Sequence, residues 1–148
     1  MNLNYRCRKE KLDGNIVVKR AIVPVFLSGN NSKKIQFTAV LDSGSDFILI
    51  PREIADLLNL KYNSNKKNSA NTYDGTEIVT TQSKIKIILE KDRETQSFIC
   101  NCAILLNKDF DHDDLIFGSS FFEKFKITFD FSKNKFSIKN VIINPKLK

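Results

Sequence analysis

Alternating apolar and polar residues dominate the chain and predict strands rather than long helices. Residues 15–27 predict a first long strand that is interrupted at Pro24, a residue suited to an edge or a bulge. Further strands are predicted over 35–41, 47–50, 78–89, 96–106, 115–117, 127–131 and 136–138. The pattern is typical of a sheet with one buried face.

Helical signals are short. Residues 51–60 predict one helix, which has proline in its first turn and Ile54, Leu57 and Leu58 on one face. Ser120 and Glu123 fit a capping box that opens a single turn through residue 125. The polar stretch 61–71 and the acidic stretch 107–114 are expected to be loops. The fold class is therefore all-β and mostly antiparallel, with two short helices.

No linker or repeat divides the chain, so residues 1–148 are interpreted as one domain. Its core is expected over about 16–139, with 1–14 as an N-terminal extension and 140–148 as a C-terminal tail. The composition agrees with a sheet, since 17 Ile and 12 Phe stand against 5 Ala. This apolar content excludes disorder of the whole chain.

Charge and rare residues exclude several function classes. The net charge is +7, and 19 of the 24 basic residues are scattered lysines, which favours a solvated surface over recognition of nucleic acid. Weak attraction to polyanions stays open. The longest clean apolar run, 21–27, is too short for a membrane span, and no signal peptide is visible. Three cysteines and one histidine argue against zinc sites and Ser/His/Asp catalysis, and favour reduced thiols in a cytoplasmic location.

The segment Leu41-Asp42-Ser43-Gly44-Ser45 is the strongest candidate for chemistry. An apolar strand leads into Asp42, and a second apolar run, 47–50, follows. A polar turn in which Asp42 caps its own backbone is the alternative. An aspartate between two core strands, with a glycine that permits close backbone approach, is unusual for a surface turn.

Residues 37–51 resemble the active-site segment of the retropepsin-like aspartic proteases. Ile116-Phe117-Gly118, followed by 119–125, matches the second mark of that family, an apolar-apolar-Gly strand that supports the catalytic loop. The resemblance covers about 16–138. It implies a closed, orthogonal β barrel with its active site at a two-fold dimer interface, and an aspartic endopeptidase activity.

The implied chemistry uses two facing carboxylates that share one proton and hold a water molecule. Because the chain has one Asp-Ser-Gly, the resemblance implies a homodimer in which each subunit contributes Asp42. The substrate is expected to be a peptide or protein with apolar residues beside the cleaved bond. Neither a metal nor an organic cofactor is expected, and no membrane or nucleic-acid partner.

The resemblance also implies roles for the neighbours of Asp42. Ser43 would hydrogen-bond across the dimer axis, and the Gly44 N–H would donate to the carboxylate. A Ser45 hydroxyl donating to Asp42 would lower the pKa values of the pair and give an acidic optimum. Asp46 would contact the substrate backbone. A flap that closes over the substrate would have Tyr73, Asp74 and Gly75 at its tip.

Two other functions compete with a protease. A non-catalytic dimer that binds extended peptides is the main rival, and a basic nucleic-acid-binding domain is a weaker one.

The acidic loop 109–114 lacks the glycine and glutamate of a calcium loop. The phenylalanines between 117 and 131 are interpreted as core rather than as a stacking platform. The tail from Val141 is expected to add a strand to the dimer interface.

Overall fold

The computed structural model describes residues 2–72, 75–107 and 114–141. Most of these residues lie in strands, as predicted, and two short helices accompany them. The strands are β1 (Asn2–Arg6), β2 (Arg8–Lys11), β3 (Val17–Arg20), β4 (Ile22–Ser28), β5 (Lys34–Leu41), β6 (Ile48–Pro51), β7 (Asn68–Asn71), β8 (Glu77–Lys91), β9 (Glu94–Leu105), β10 (Leu115–Phe117), β11 (Phe125–Asp130) and β12 (Lys135–Asn140). The helices are α1 (Arg52–Leu57) and α2 (Ser119–Phe122), and two 3₁₀ turns cover Asp13–Asn15 and Phe131–Lys133.

The main sheet closes on itself. Its strand order is β4-β5-β10-β6-β9-β8-β7, and β4 pairs with β8 as well as with β5. Six strands therefore form a continuous ring, in agreement with the predicted barrel, while β7 lies outside it on β8. A second sheet has the order β1-β12-β11, and β2 pairs with β3 in a separate hairpin.

Strand β10 lies between the two strands that flank the Asp-Ser-Gly segment. It runs parallel to β5, with Phe117 opposite Leu41, and antiparallel to β6, with Phe117 opposite Ile48. All three side chains are buried in the core. This arrangement places the loop between β5 and β6 directly beside the end of β10.

The phenylalanines are only partly in the core. Phe121 contacts Phe117 and Phe125 at ring-centroid distances of 5.2 and 5.1 Å, and all three are buried, as predicted. Phe129 and Phe131 are 43 % and 44 % exposed, so the prediction is wrong for these two. Phe129 lies on β11, the edge strand of its sheet, which has β12 on one side only, and Phe131 lies in the 3₁₀ turn that follows.

The chain before residue 22 differs from the predicted single strand. The strand breaks at Ala21, and Pro24 lies inside β4, opposite Thr38 of β5. Proline is tolerated there because β8 pairs with β4 only at 26–28, so β4 has a free edge at residue 24. Residues 2–11 of the predicted extension also form strands, and Leu3 and Tyr5 of β1 join the hydrophobic core.

Three local predictions are corrected by the tertiary structure. No side chain caps α2, whose N-cap is Gly118, so the capping box at Ser120 and Glu123 is wrong. The start of α2 is set instead by Ser119, whose N–H donates to the Ser45 carbonyl (2.9 Å). In α1, Leu57 is 47 % exposed, so it does not share the buried face of the helix. The predicted loop 61–71 ends in β7, an edge strand on β8.

The three cysteines are free thiols with buried side chains. Burial raises the pKa of Cys100 to about 11 and the pKa of Cys102 to about 12. Both thiols are therefore protonated at neutral pH, and they act as small apolar groups in β9 rather than as nucleophiles or metal ligands. No helix in the described ranges has the length and apolar character that a membrane crossing requires.

Candidate active site

Asp42 is the first residue after β5, and its loop orients the carboxylate. Its backbone N–H donates to the Phe117 carbonyl (2.9 Å), which joins the loop to β10. The Gly44 N–H donates to Oδ1 of Asp42 (2.9 Å), and the Ser45 N–H donates to the Asp42 carbonyl (3.1 Å). Asp42, Ser43 and Gly44 are all exposed in the single chain. The Asp42 carboxylate therefore lies at the surface, and backbone hydrogen bonds connect its loop to the buried strand β10.

Gly118 supports this loop from below. Its N–H donates to the Phe47 carbonyl (3.0 Å). A β-carbon at position 118 would lie 2.1 Å from the Ser45 carbonyl oxygen and 2.7 Å from that of Phe47. Only glycine lets β10 pass this close to the loop. Phe117 is fully buried and Ile116 half-buried, so the three-residue segment forms the floor of the site.

Ser45 does not make the contact that the sequence implied. Its hydroxyl donates to the Phe47 carbonyl (3.1 Å) and not to Asp42. A hydroxyl has one proton, so the bond to Phe47 removes the donor that was expected to stabilise the Asp42 anion. Ser45 therefore stabilises the shape of the loop, and the acidic optimum that was inferred from it loses its structural reason.

Replacing Ser45 by alanine is expected to change stability and to leave the acid limb of the pH–rate profile in place. Loss of the bond to Phe47 should cost about 0.5–1.5 kcal/mol of unfolding free energy. Urea denaturation and a pH series of kcat/KM on the wild type and the variant measure the two effects. A rise in the apparent pKa of the acid limb would restore the direct role of Ser45 on Asp42.

Of the other residues predicted to bind substrate, Asp46 and Gly75 lie in the described part of the chain. Asp46 is exposed in the loop before β6. Gly75 is exposed, adopts φ +80°, and donates its N–H to the Thr72 carbonyl (3.0 Å). It belongs to the turn between β7 and β8, so the predicted hairpin is present. Tyr73 and Asp74 lie outside the described residues, and the role of a flap stays a prediction.

A pocket of about 440 Å³ opens beside Asp42. Most of its wall is not predictable from the sequence, since Arg8 and Asp114 are 106 residues apart and no local pattern links them. Within the described ranges, no three His, Cys, Asp or Glu side chains come together as a metal site. The pocket is lined by Arg8, Glu10, Arg20, Val40, Asp42, Asp114 and Ile116.

The model of one protein family, described as eukaryotic aspartyl protease, matches residues 16–141. The matched range holds both the Asp42 loop and the Gly118 segment, and it is most of the chain. The chain belongs to the aspartyl protease family. Among the curated proteins, none matches it.

Two solved structures are similar to the structure of this family member. The crystal structure of a retropepsin-like aspartic protease from Rickettsia conorii is 19 % identical, with a TM-score of 0.54 over 93 % of this chain and 89 % of that one. EIAV protease complexed with the inhibitor HBY-793 is 16 % identical, with a TM-score of 0.44 over 71 % of this chain and 86 % of that one. The likeness to the Rickettsia conorii structure shows that this aspartyl protease has a retropepsin-like fold, as the sequence predicted.

Membership of the aspartyl protease family singles out one aspartate. The chain has a single Asp-Ser-Gly, at residues 42–44, and the structure places it where β5 ends and β10 supports it. The catalytic roles of Asp42, Ser43 and Gly44 stay predictions. So does the role of Asp46 toward the substrate.

Proposed function

We propose that this aspartyl protease is an endopeptidase that works as a homodimer, with one Asp42 from each subunit in the active site. The observation that carries the proposal is the position of Asp42, an exposed carboxylate at the end of a core strand with its loop fixed on three sides. An exposed and rigid loop is suited to meet an identical loop across a two-fold axis.

The neighbouring carboxylates of the same chain do not offer a second catalytic group. Asp114 also lines the pocket, but its two oxygens accept from Arg8 (2.8 Å) and Thr38 (2.5 Å). Glu10 accepts from Arg20 (2.6 Å). These hydrogen bonds hold both carboxylates on residues of their own chain, whereas the reaction needs a second carboxylate that shares a proton with Asp42. A second Asp42 is the carboxylate that meets this need.

The proposed reaction follows from two carboxylates that share one proton. The ionised carboxylate takes a proton from the bound water, whose oxygen attacks the peptide carbonyl carbon. The protonated carboxyl group donates its proton to the carbonyl oxygen. The C–N bond then breaks as the first carboxyl group passes the proton it took from water to the nitrogen, and one hydroxyl of the tetrahedral carbon returns its proton to the second carboxylate. This leaves a carboxylic acid, an amine and a pair of carboxylates that again share one proton. All protons come from the water and the dyad.

Dilution tests the dimer and the activity together. Specific activity on a mixed peptide library should fall when the protein is diluted below the dimer dissociation constant, and the mass in solution should fall from two chains to one over the same range. Full activity of the single chain would overturn the proposal. A stable dimer that binds the peptides without cleaving them would show instead the non-catalytic module.

A further inference from the structure

We propose that the pocket beside Asp42 selects an acidic side chain in the substrate residue next to the cleaved bond, with Arg8 and Arg20 as specificity-determining residues. The inference rests on the proposed function and departs from the apolar preference that the family resemblance implies. Two arginines and two further carboxylates line this pocket together with Asp42.

The carboxylates of Asp114 and Glu10 each accept hydrogen bonds from within the chain. Oδ2 of Asp114 accepts from Arg8, and Oδ1 accepts from the Thr38 hydroxyl. Oε2 of Glu10 accepts from Nε of Arg20, and Oε1 lies 3.8 Å from Arg8. The Asp114 side chain is only 14 % exposed, so it faces the protein rather than a ligand. These acids position the arginines.

The arginines keep donors for a ligand. Each guanidinium has five N–H groups, and these contacts engage only one nitrogen of each, Nη1 of Arg8 and Nε of Arg20. Both side chains are 42 % exposed. Among the described lining residues, the two arginines therefore offer cationic donors in a planar fork, which matches a carboxylate better than any other side chain.

The rest of the pocket suits the stem of such a side chain. Val40 and Ile116 are half-buried and line the same pocket, so they offer apolar contact to methylene groups. The volume of about 440 Å³ is ample for a glutamate. Because Asp42 lies in the wall, the bound side chain belongs to the residue beside the cleaved bond. In the proposed homodimer the two-fold axis puts one such pocket on each side of that bond.

Four peptides that differ only at the residue before the cleaved bond test the inference, with Glu, Gln, Leu or Lys there. Wild-type kcat/KM should be about tenfold higher for Glu than for Leu, the size expected of one charge-assisted hydrogen bond. The Glu preference should decline below about pH 4, where the substrate carboxyl takes up its proton. Arg8→Met and Arg20→Met should each bring the Glu/Leu ratio toward one.

Arg6→Met is the matched control, since Arg6 is exposed on β1 and does not line this pocket; its Glu/Leu ratio should equal that of the wild type. Equal cleavage of the Glu and Leu peptides, or an unchanged ratio in both variants, would overturn the inference while the protease activity stands. If the wild type cleaves none of the peptides, the proposed function fails. The Glu/Leu ratio of dissociation constants on Asp42→Asn then still decides whether the pocket selects acids.

Discussion

Asp42→Asn is expected to abolish peptide hydrolysis without unfolding the protein. Asparagine keeps the size of the side chain and an oxygen that accepts from the Gly44 N–H, so the loop should hold its shape. It cannot take the proton from water, and loss of a general base costs about 10²–10⁴-fold in rate. kcat/KM on a cleaved peptide measures the loss of hydrolysis, and the midpoint of thermal unfolding shows whether the fold is intact.

The matched control is Asp13→Asn, an exposed aspartate in the 3₁₀ turn after β2, which should keep full activity. Mixing the wild type with Asp42→Asn in equal amounts extends the test. If each active site needs two Asp42 residues, random exchange of subunits should leave about one quarter of the wild-type specific activity, against about one half for independent chains. A value near one half would contradict the shared site, and residual activity of pure Asp42→Asn would contradict the role of Asp42.

Local patterns were sufficient for the elements that deliver Asp42. Strand β5 and the start of β6 follow from apolar runs of the right length, and β10 from a three-residue apolar run that ends at a glycine. The long hairpin of β8 and β9 follows from alternation on either side of a charged turn. These elements are predictable because the local pattern of apolar residues in each strand is enough to show that it belongs to the main sheet.

The errors arise where a distant part of the chain decides the local structure. The start of α2 depends on a hydrogen bond from Ser119 to the Ser45 carbonyl, 74 residues earlier, so the local sequence wrongly predicts Ser120 as the cap. The proton of Ser45 goes to Phe47 because β10 and the loop converge on that carbonyl, which no spacing reveals. The charged wall of the pocket likewise depends on the N-terminal hairpin folding back onto β5 and β10, where Arg8 meets Asp114.

Gly118→Ala is expected to have the largest effect on stability of the substitutions considered. The added methyl group would lie 2.1 Å from one backbone oxygen and 2.7 Å from another, and neither can move without displacing the Asp42 loop. We expect a loss of about 3–5 kcal/mol in the free energy of unfolding, measured by urea denaturation. The fraction that remains folded should also lose activity, because β10 and the loop are forced apart.

Gly14→Ala separates this crowding from the general cost of replacing a glycine. Nothing lies within 4 Å of a β-carbon at position 14, and the penalty there comes from φ +76° alone, about 1 kcal/mol. Position 118 has no such backbone cost, since its φ is −104°, so any larger loss must come from contact with the loop. If both variants lose the same stability, the close approach of β10 is not what holds Asp42 in place. A larger loss at 118 with full activity would mean that the loop tolerates displacement, and that the carboxylate depends on its own turn rather than on the strand beneath it.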